Sequence, residues 1–567
     1  KKDLLIKIVN EKKYYFYKKK INKISTLELL QEFLPILLKN FKWKTSMRWS
    51  DFEQKWIRPI KSILCLFDKK IIKFNYCGIS TSNYTFGNYL YSGNKIFCSS
   101  VKDYKEKLKK NYVIIDKKKR QEIIKKKLER TASRNNFFCN VNANFLEEIS
   151  CLVEYPNILS GNFDKEFFSM PEFILTSVIS NQQKYFSFRD NENNLCNLFS
   201  FVTNHKSDPT KRIIRGNEKV LKARFKDALF FIREDRLLKL EDRLFKLKEI
   251  TYLEELGNLY EKSVRLVKLS EYISKILNFK LDEKSKKIIL ISKTDLTSEL
   301  VKEFPNLQGL VGSYYAELEG YSREQFNAIK EHYSPNHSND LCPKSKLSIC
   351  LSIADKIDQI IGVFLTGKKP SGSKDPFAIR RAALGIIRVL IENKIDMNLK
   401  ILIQENYKLF SKIKLNEEFK IDEIMNFINV RLFIYLRENG ISEGIFKSLI
   451  TINEGNPYII FYKANILSKF VATKKGKEFL GAYKRINSII DKNIGKDTNV
   501  SRELFSTKEE KDLYDTSLVI KNKTLIKNFD MHFKTLIAEI QKLEPLINLF
   551  FDHVKVNVND IKKKENR

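Results

Sequence analysis

The residues of this 567-residue chain that could do chemistry lie first between about 293 and 366. Lys346–Thr366 reads as a helix whose core stripe is Ile353, Ile357, Ile360 and Phe364. Asp355 and Asp358 are three residues apart and project on the opposite side. Upstream stand Glu331-His332-Tyr333 and, further back, Lys293-Thr294-Asp295. Imidazole and carboxylate groups converging from several helices are what a hydrolytic divalent metal requires. Thr294 stands where a histidine should precede Asp295, and a hydroxyl is a poor replacement for a neutral imidazole ligand. Thr294, Asp295, His332, Asp355 and Asp358 are therefore expected to keep the shape of such a site in degenerate form, with no metal. His332, His337, Cys342 and Cys350 match no familiar zinc spacing.

The order of these groups is similar to that of the metal-dependent HD phosphohydrolases, so an enzyme of that type is one rival reading. A second stretch, Gly367-Lys-Lys-Pro-Ser-Gly-Ser-Lys374, has the glycines of a phosphate loop. Its Lys and Ser are reversed, Pro370 interrupts it, and a helix rather than a strand precedes it. It reads better as a loop into a helix capped by Asp375 or Ser373, with Pro376 in the first turn. On that helix Ile379, Ala383, Ile386 and Leu390 face a core, while Arg380, Arg381 and Arg388 share another arc with Leu384. Those arginines could bind RNA phosphate or pair with Asp355 and Asp358. A third stretch, Phe479–Ile490, is an amphipathic helix that carries Lys484, Arg485 and Asn487 away from its apolar side.

The formal net charge is +34, which points to a polyanionic partner. Only 22 of the 103 basic residues are Arg, and Lys, Ile and Asn are abundant, a composition that raises Lys regardless of function. Arginine clusters are the sharper probe, because a planar five-donor fork is not interchangeable with an ammonium. Arg212, Arg215, Arg224, Arg233, Arg236 and Arg243 form one such cluster, with Glu234, Asp235, Glu241 and Asp242 as possible internal partners.

The elements that must position these groups are mostly helical. Apolar residues make up 43% and aromatics 12%, which excludes a disordered chain. The eight scattered cysteines suit reduced thiols in a cytoplasmic protein, and no signal peptide or membrane-spanning run is visible. The chain begins with Lys, so its true N-terminus is expected to be missing. Short β-type runs fall at Ile71–Tyr76, Lys184–Phe188 and Leu198–Val202, and Pro171 opens a helical run. From about 210 onward the period is helical, with Leu221, Phe225, Leu229 and Ile232 on one face. Lys408–Asp422 is charged and weakly patterned, as a linker would be.

Motifs along the chain sharpen this. They are Ser46-Met-Arg-Trp49, Arg58-Pro-Ile60, Leu152-Val-Glu-Tyr-Pro156, Met170-Pro-Glu172, Lys184-Tyr-Phe186 and Arg189-Asp190. Ile214-Arg-Gly-Asn-Glu-Lys-Val-Leu-Lys-Ala-Arg224, Lys293-Thr-Asp-Leu296 and Glu303-Phe-Pro-Asn-Leu-Gln-Gly309 follow. The strongest block is Ala354-Asp-Lys-Ile-Asp358, Gly367 and Pro370 through Gly385, and Tyr483-Lys-Arg-Ile-Asn487 closes the series. Together they resemble the β subunit of the bacterial heterotetrameric glycyl-tRNA synthetase.

The resemblance implies a multidomain, mostly α protein. Residues 1–45 would be the remnant of an N-terminal region and 46–250 an α+β body. Residues 251–405 would be a helical HD-like domain, 406–422 a linker and 423–567 a helical anticodon-binding bundle similar to that of arginyl-tRNA synthetase. The family's N-terminal region looks reduced here, and the C-terminus stops slightly short of the family's usual end. The implied function is to position glycine tRNA for ATP-dependent glycylation at the active site of an α subunit, in an α2β2 assembly. No catalytic residue and no cofactor are expected in this chain; ATP with Mg belongs to the α subunit. The expected tRNA contacts are Arg212, Arg215, Arg224, Lys374, Arg380, Arg381, Arg388, Lys484, Arg485 and Asn487. A general RNA-binding protein, acting through charge alone, is the other rival.

Overall fold

The computed structural model describes residues 4–9, 12–17, 24–43, 45–370, 375–410, 419–450, 455–489, 500–524 and 533–567. The chain divides into two compact units, Lys1–Leu229 and Phe230–Arg567. It is mostly α, with an α+β N-terminal region. Apart from the short pair Thr251–Leu253 and Gly257–Asn258, every described strand lies in the first unit. No helix among the described residues is long and apolar enough to cross a membrane.

The first unit is organised around an antiparallel sheet in which Leu195–Thr203 lies between Asn157–Asn162 and Phe186–Arg189. Against it packs the helix Lys117–Asn135. Its Ile124, Leu128 and Ala132, spaced four apart, meet Phe186, Phe188 and Leu198. Asp116 starts that helix by accepting the Lys118 and Lys119 amides. The β-type run at Ile71–Tyr76 forms two short strands in different sheets, Lys70–Ile71 paired with Leu66–Phe67 and Asn75–Tyr76 paired with Ile79–Ser82. The helical run after Pro171 is α over Glu172–Thr176 and widens to a π-turn at Ser177–Gln182. In the helix Arg212–Asp235, Leu221, Phe225 and Ile232 are buried as its period predicts. Phe225 packs on Phe163 and Phe167, with ring centroids 5.1 and 5.0 Å away.

The second unit is built on the helix Lys346–Leu365, in which only Lys346 and Gln359 escape burial. A helix covered on every side belongs at the centre of a helical layer. Leu259–Ile276, Arg323–Glu331, Ile379–Glu392 and Leu399–Lys408 surround it. Gly385 permits the approach of Ile379–Glu392, since a Cβ there would stand 2.8 Å from Lys356 Cε. That helix starts at Ile379, later than expected. Ala378 is its N-cap residue, in the left-handed region, so Pro376 lies in the turn before it and not in its first turn. The two Asp375 carboxylate oxygens reach over to accept the Ile379 and Arg380 amides. The helices Ile421–Glu438 and Pro457–Ala472 pack against Ile379–Glu392, and Lys474–Ile489 follows on Pro457–Ala472. Within the expected linker, residues 411–418 lie outside the described residues.

Candidate functional site

The centre of the second unit is polar. On the central helix, Asp355 Oδ1 lies 2.8 Å from Lys262 Nζ and Oδ2 lies 2.7 Å from Lys293 Nζ. Lys293 Nζ is also 2.9 Å from His332 Nε2. His332 Nδ1 lies 2.6 Å from the Ile329 carbonyl, so Nδ1 carries the proton and Nε2 accepts from the ammonium. All four side chains are buried. One turn along the helix, Asp358 is gripped by the Arg265 fork, with Nε–Oδ1 and Nη2–Oδ2 distances of 2.8 and 3.1 Å. The Arg265 guanidinium also lies over the Phe410 ring, 4.5 Å from its centroid. Lys356 points the other way and donates to the His332 and Ser334 carbonyls and to Ser352 Oγ, each at 2.9 Å.

Electrostatics follow from this packing. Burial pushes the Asp355 carboxyl up, but the Lys262 and Lys293 ammoniums outweigh it and hold the group well below the usual carboxylate range. Burial, and then the Lys293 charge, keeps His332 well below the ordinary imidazole value and hence neutral. Burial lowers Lys293 to about 8 against the pull of Asp355. Burial likewise lowers Lys356 to about 7. Asp295 is pushed up to about 6 by burial, although the Gly309 and Gly312 amides and Lys293 favour its charged form.

These positions do not fit a metal. The two groups that do converge, His332 through Nε2 and Asp355 through Oδ2, both accept from the Lys293 ammonium. Asp295 Oδ2 instead accepts the Gly309 and Gly312 amides at 2.5 and 3.3 Å. The Thr294 hydroxyl bonds the Ile291 carbonyl at 2.8 Å, and Asp358 belongs to Arg265. A cationic ammonium already lies where a cation would sit, and the HD-like residues are divided among four separate sets of partners.

The basic candidates separate into outward and inward groups. In the first unit Arg212 and Arg215 are exposed, and their side chains carry no ion pair to a described residue. Arg224 is exposed and lies 3.7 Å from Asp227. In the second unit Arg243 is buried, its Nη2 3.3 Å from Asp235 Oδ1, so this part of the arginine cluster is internal. On Ile379–Glu392, Arg381 is exposed and Arg380 half-buried. Arg431 lies against the Phe427 ring; burial and then the Arg380 guanidinium lower its pKa, so two guanidiniums share one neighbourhood. Arg388 is turned inward, bonded to Glu392 Oε1 at 2.8 Å and to the His337, Ser338 and Asp340 carbonyls at 3.0, 3.0 and 2.8 Å. The expected alternative, pairing of these arginines with Asp355 and Asp358, does not form, because Lys262, Lys293 and Arg265 occupy both carboxylates. Lys484, Arg485 and Asn487 are exposed on Lys474–Ile489, with Arg485 Nη1 3.3 Å from Asn548 Oδ1. Lys374 lies outside the described residues.

Comparison with known proteins decides the family. A family profile described as glycyl-tRNA synthetase beta subunit matches residues 1–451. The glycine–tRNA ligase β subunit of Rickettsia bellii is 36% identical over 571 aligned positions, covering 100% of this chain and 83% of that relative. The chain belongs to the glycyl-tRNA synthetase β-subunit family. The corresponding subunits of Rickettsia canadensis and Rickettsia prowazekii are 36% and 35% identical, with the same shares covered.

Within this family member, the block Ala354 to Gly385 supplies both the central helix and the arginine-bearing helix beside it. Sequence reasoning missed Lys262, Arg265 and Lys356 as partners of that block. Their signal was available: Lys262 and Arg265 are three apart on one face of Leu259–Ile276, and Lys356 interrupts an otherwise apolar helix. A charge in such a position requires a buried partner.

Proposed function

We propose that this chain serves glycylation as the tRNA-positioning subunit of a glycine–tRNA ligase, working with an α subunit that holds the active site. The observation that carries the reading is the match to glycine–tRNA ligase β subunits along 100% of the chain. ATP and Mg belong to the partner, in an α2β2 assembly. The HD-like part, with Arg380 and Arg381, grips the acceptor arm; Lys484, Arg485 and Asn487 on the C-terminal helices meet the anticodon arm. Arg212, Arg215 and Arg224 add phosphate contacts from the first unit. Guanidinium and ammonium groups track phosphates, while exposed planar side chains stack on unpaired bases. Holding the tRNA end at the partner's active site converts an encounter between two bodies into a local one.

Mixing the purified chain with its α partner, glycine, ATP and glycine tRNA tests this. Glycylation is expected in the mixture and from neither component alone. Full-rate glycylation by the α subunit alone overturns it. Equal affinity for any RNA of similar length would favour the charge-only reading instead.

A further inference from the structure

Beside Asp355 the second unit holds a cavity of about 360 Å³, at the lower end of the range for small-molecule sites. Tyr252, Lys262, Lys293, Asp355, Lys356 and Arg381 line it. Four of these are basic side chains and one is acidic, so the lining carries a positive excess even with Lys356 lowered to about 7. Lys356 spends its ammonium on the His332 and Ser334 carbonyls and on Ser352. Asp355 Oδ2 accepts from Lys293, while Oδ1 is ion-paired with Lys262 Nζ at 2.8 Å without a hydrogen bond. Lys262 Nζ lies over the Tyr252 ring, 4.2 Å from its centroid, and apart from its ion pair with Asp355 has no acceptor among the described residues. Lys293 keeps one N–H without such an acceptor, beside the Tyr333 ring, with Nζ 3.9 Å from the centroid. The Tyr252 hydroxyl is buried and finds no acceptor among the described residues. The Arg381 fork is exposed and makes no hydrogen bond to a described side chain.

Buried donors with no acceptor cost free energy unless an acceptor-rich partner meets them. A carboxylate ligand would bring one charge and two oxygens. A terminal phosphate brings close to two charges and three oxygens, and matches both the fork and the ammoniums. We propose that this cavity binds a terminal phosphomonoester, seated by Lys262, Lys293 and Tyr252 and closed at its mouth by Arg381. The group can come from a free nucleoside monophosphate or from the 5′ end of an RNA. The free-nucleotide source does not depend on the tRNA reading.

Calorimetric titration of the full chain with inorganic phosphate, AMP and adenosine tests the proposal. Phosphate and AMP are expected to bind and adenosine is not. Arg381→Gln and Tyr252→Phe are each expected to weaken AMP binding about tenfold, the loss of one charge-assisted or buried hydrogen bond. Arg381→Gln is an exposed change and leaves the fold intact if Lys262→Met does not. In a second arm, one RNA is compared with a 5′-phosphate and with a 5′-hydroxyl. Tighter binding of the phosphorylated form, relieved by AMP, identifies the RNA end as the source; equal binding of both with AMP still bound identifies a free nucleotide. The proposal is overturned if neither phosphate, AMP nor the 5′-phosphate contributes to binding, or if Arg381→Gln and Tyr252→Phe bind AMP as the parent chain does.

Discussion

The Lys293 ammonium stands 2.9 Å from His332 Nε2, and the imidazole accepts that hydrogen bond because its other nitrogen gives its proton to the Ile329 carbonyl. The histidine is thereby fixed in one neutral tautomer, and the lysine is fixed against Asp355. The relationship replaces coordination by a hydrogen-bonded ion pair, and its energetics can be tested directly.

Replacing Lys293 by Met leaves His332 Nε2 without a donor and Asp355 with one ammonium instead of two. Removing one partner of a buried pair costs about 3–5 kcal/mol. Urea unfolding of Lys293→Met is expected to show a loss in that range, with the transition slope unchanged. A variant as stable as the parent would show that Lys262 alone compensates Asp355.

The Arg265–Asp358 pair is almost wholly buried, with side-chain exposures of 7% and 0%. Arg265→Leu strands the carboxylate and is expected to cost about 3–5 kcal/mol. The double change Arg265→Leu with Asp358→Leu removes both charges and is expected to recover most of that loss. A double-mutant cycle in urea measures the difference.

Stability should depend on pH through two depressed lysines. Lys356 and Lys293 are held at about 7 and about 8, below their ordinary 10.5. Between those values and 10.5 the native state binds fewer protons than the unfolded chain, so stability rises with pH there and is lost as pH falls through 8 and 7. Asp295 acts in the opposite sense. Raised to about 6 from 3.8, it contributes stability that is full below 3.8 and is lost as pH rises through 6, before the lysine window opens. Urea midpoints are expected to climb from about pH 7 to about pH 9, with a shallower climb in Lys356→Met. Above that the thiols of Cys139, Cys342 and Cys350, pushed by burial from 9.0 to about 12, act in the opposite sense.

Gly312 sits where no side chain fits. A Cβ there would lie 2.9 Å from Ile329 Cγ2 and 3.1 Å from Asp295 Cγ. Gly312→Ala is expected to destabilise the second unit by about 1–3 kcal/mol through overpacking. Thermal melting checks it, and Gly320→Ala is a poor control because its φ of +82° strains any side chain.

Binding of glycine tRNA should weaken steeply with salt, because phosphate contacts release counterions. Arg381→Gln is expected to lower the slope of log K against log salt by about 1, and Arg388→Gln to leave it unchanged while lowering stability. The contrast rests on Arg388 being spent on three loop carbonyls and Glu392. Filter binding across a salt series separates the two.

Much of the helical framework was legible in the sequence. Ile379, Ala383, Ile386 and Leu390 are all buried, as a 3.6-residue period requires. Asp375 accepts two amides of their first turn, although the left-handed Ala378 takes the N-cap position and Pro376 stays outside the helix. The π-turn after Thr176 was not legible, since residues there have no composition that separates it from an α-helix. Nor were the partners of Asp355 and Asp358. The spacing of Lys262 and Arg265 and the interruption at Lys356 signal buried charges, but which group meets each one is decided by the packing between helices. Arg388 shares an arc with Arg381 on the helix, yet only the 337–340 loop decides that it turns inward.

The lysine clamp on Asp355 also closes a mutational path. Rebuilding a metal site would require a histidine in place of Thr294 and the removal of both Lys262 and Lys293. Taking away either lysine first leaves a buried carboxylate short of compensation, and adding a histidine first introduces a ring where Thr294 is already fully buried. Every single step lowers stability before any coordination is gained. The arrangement works as a ratchet against the return of coordination at Thr294, His332 and Asp355.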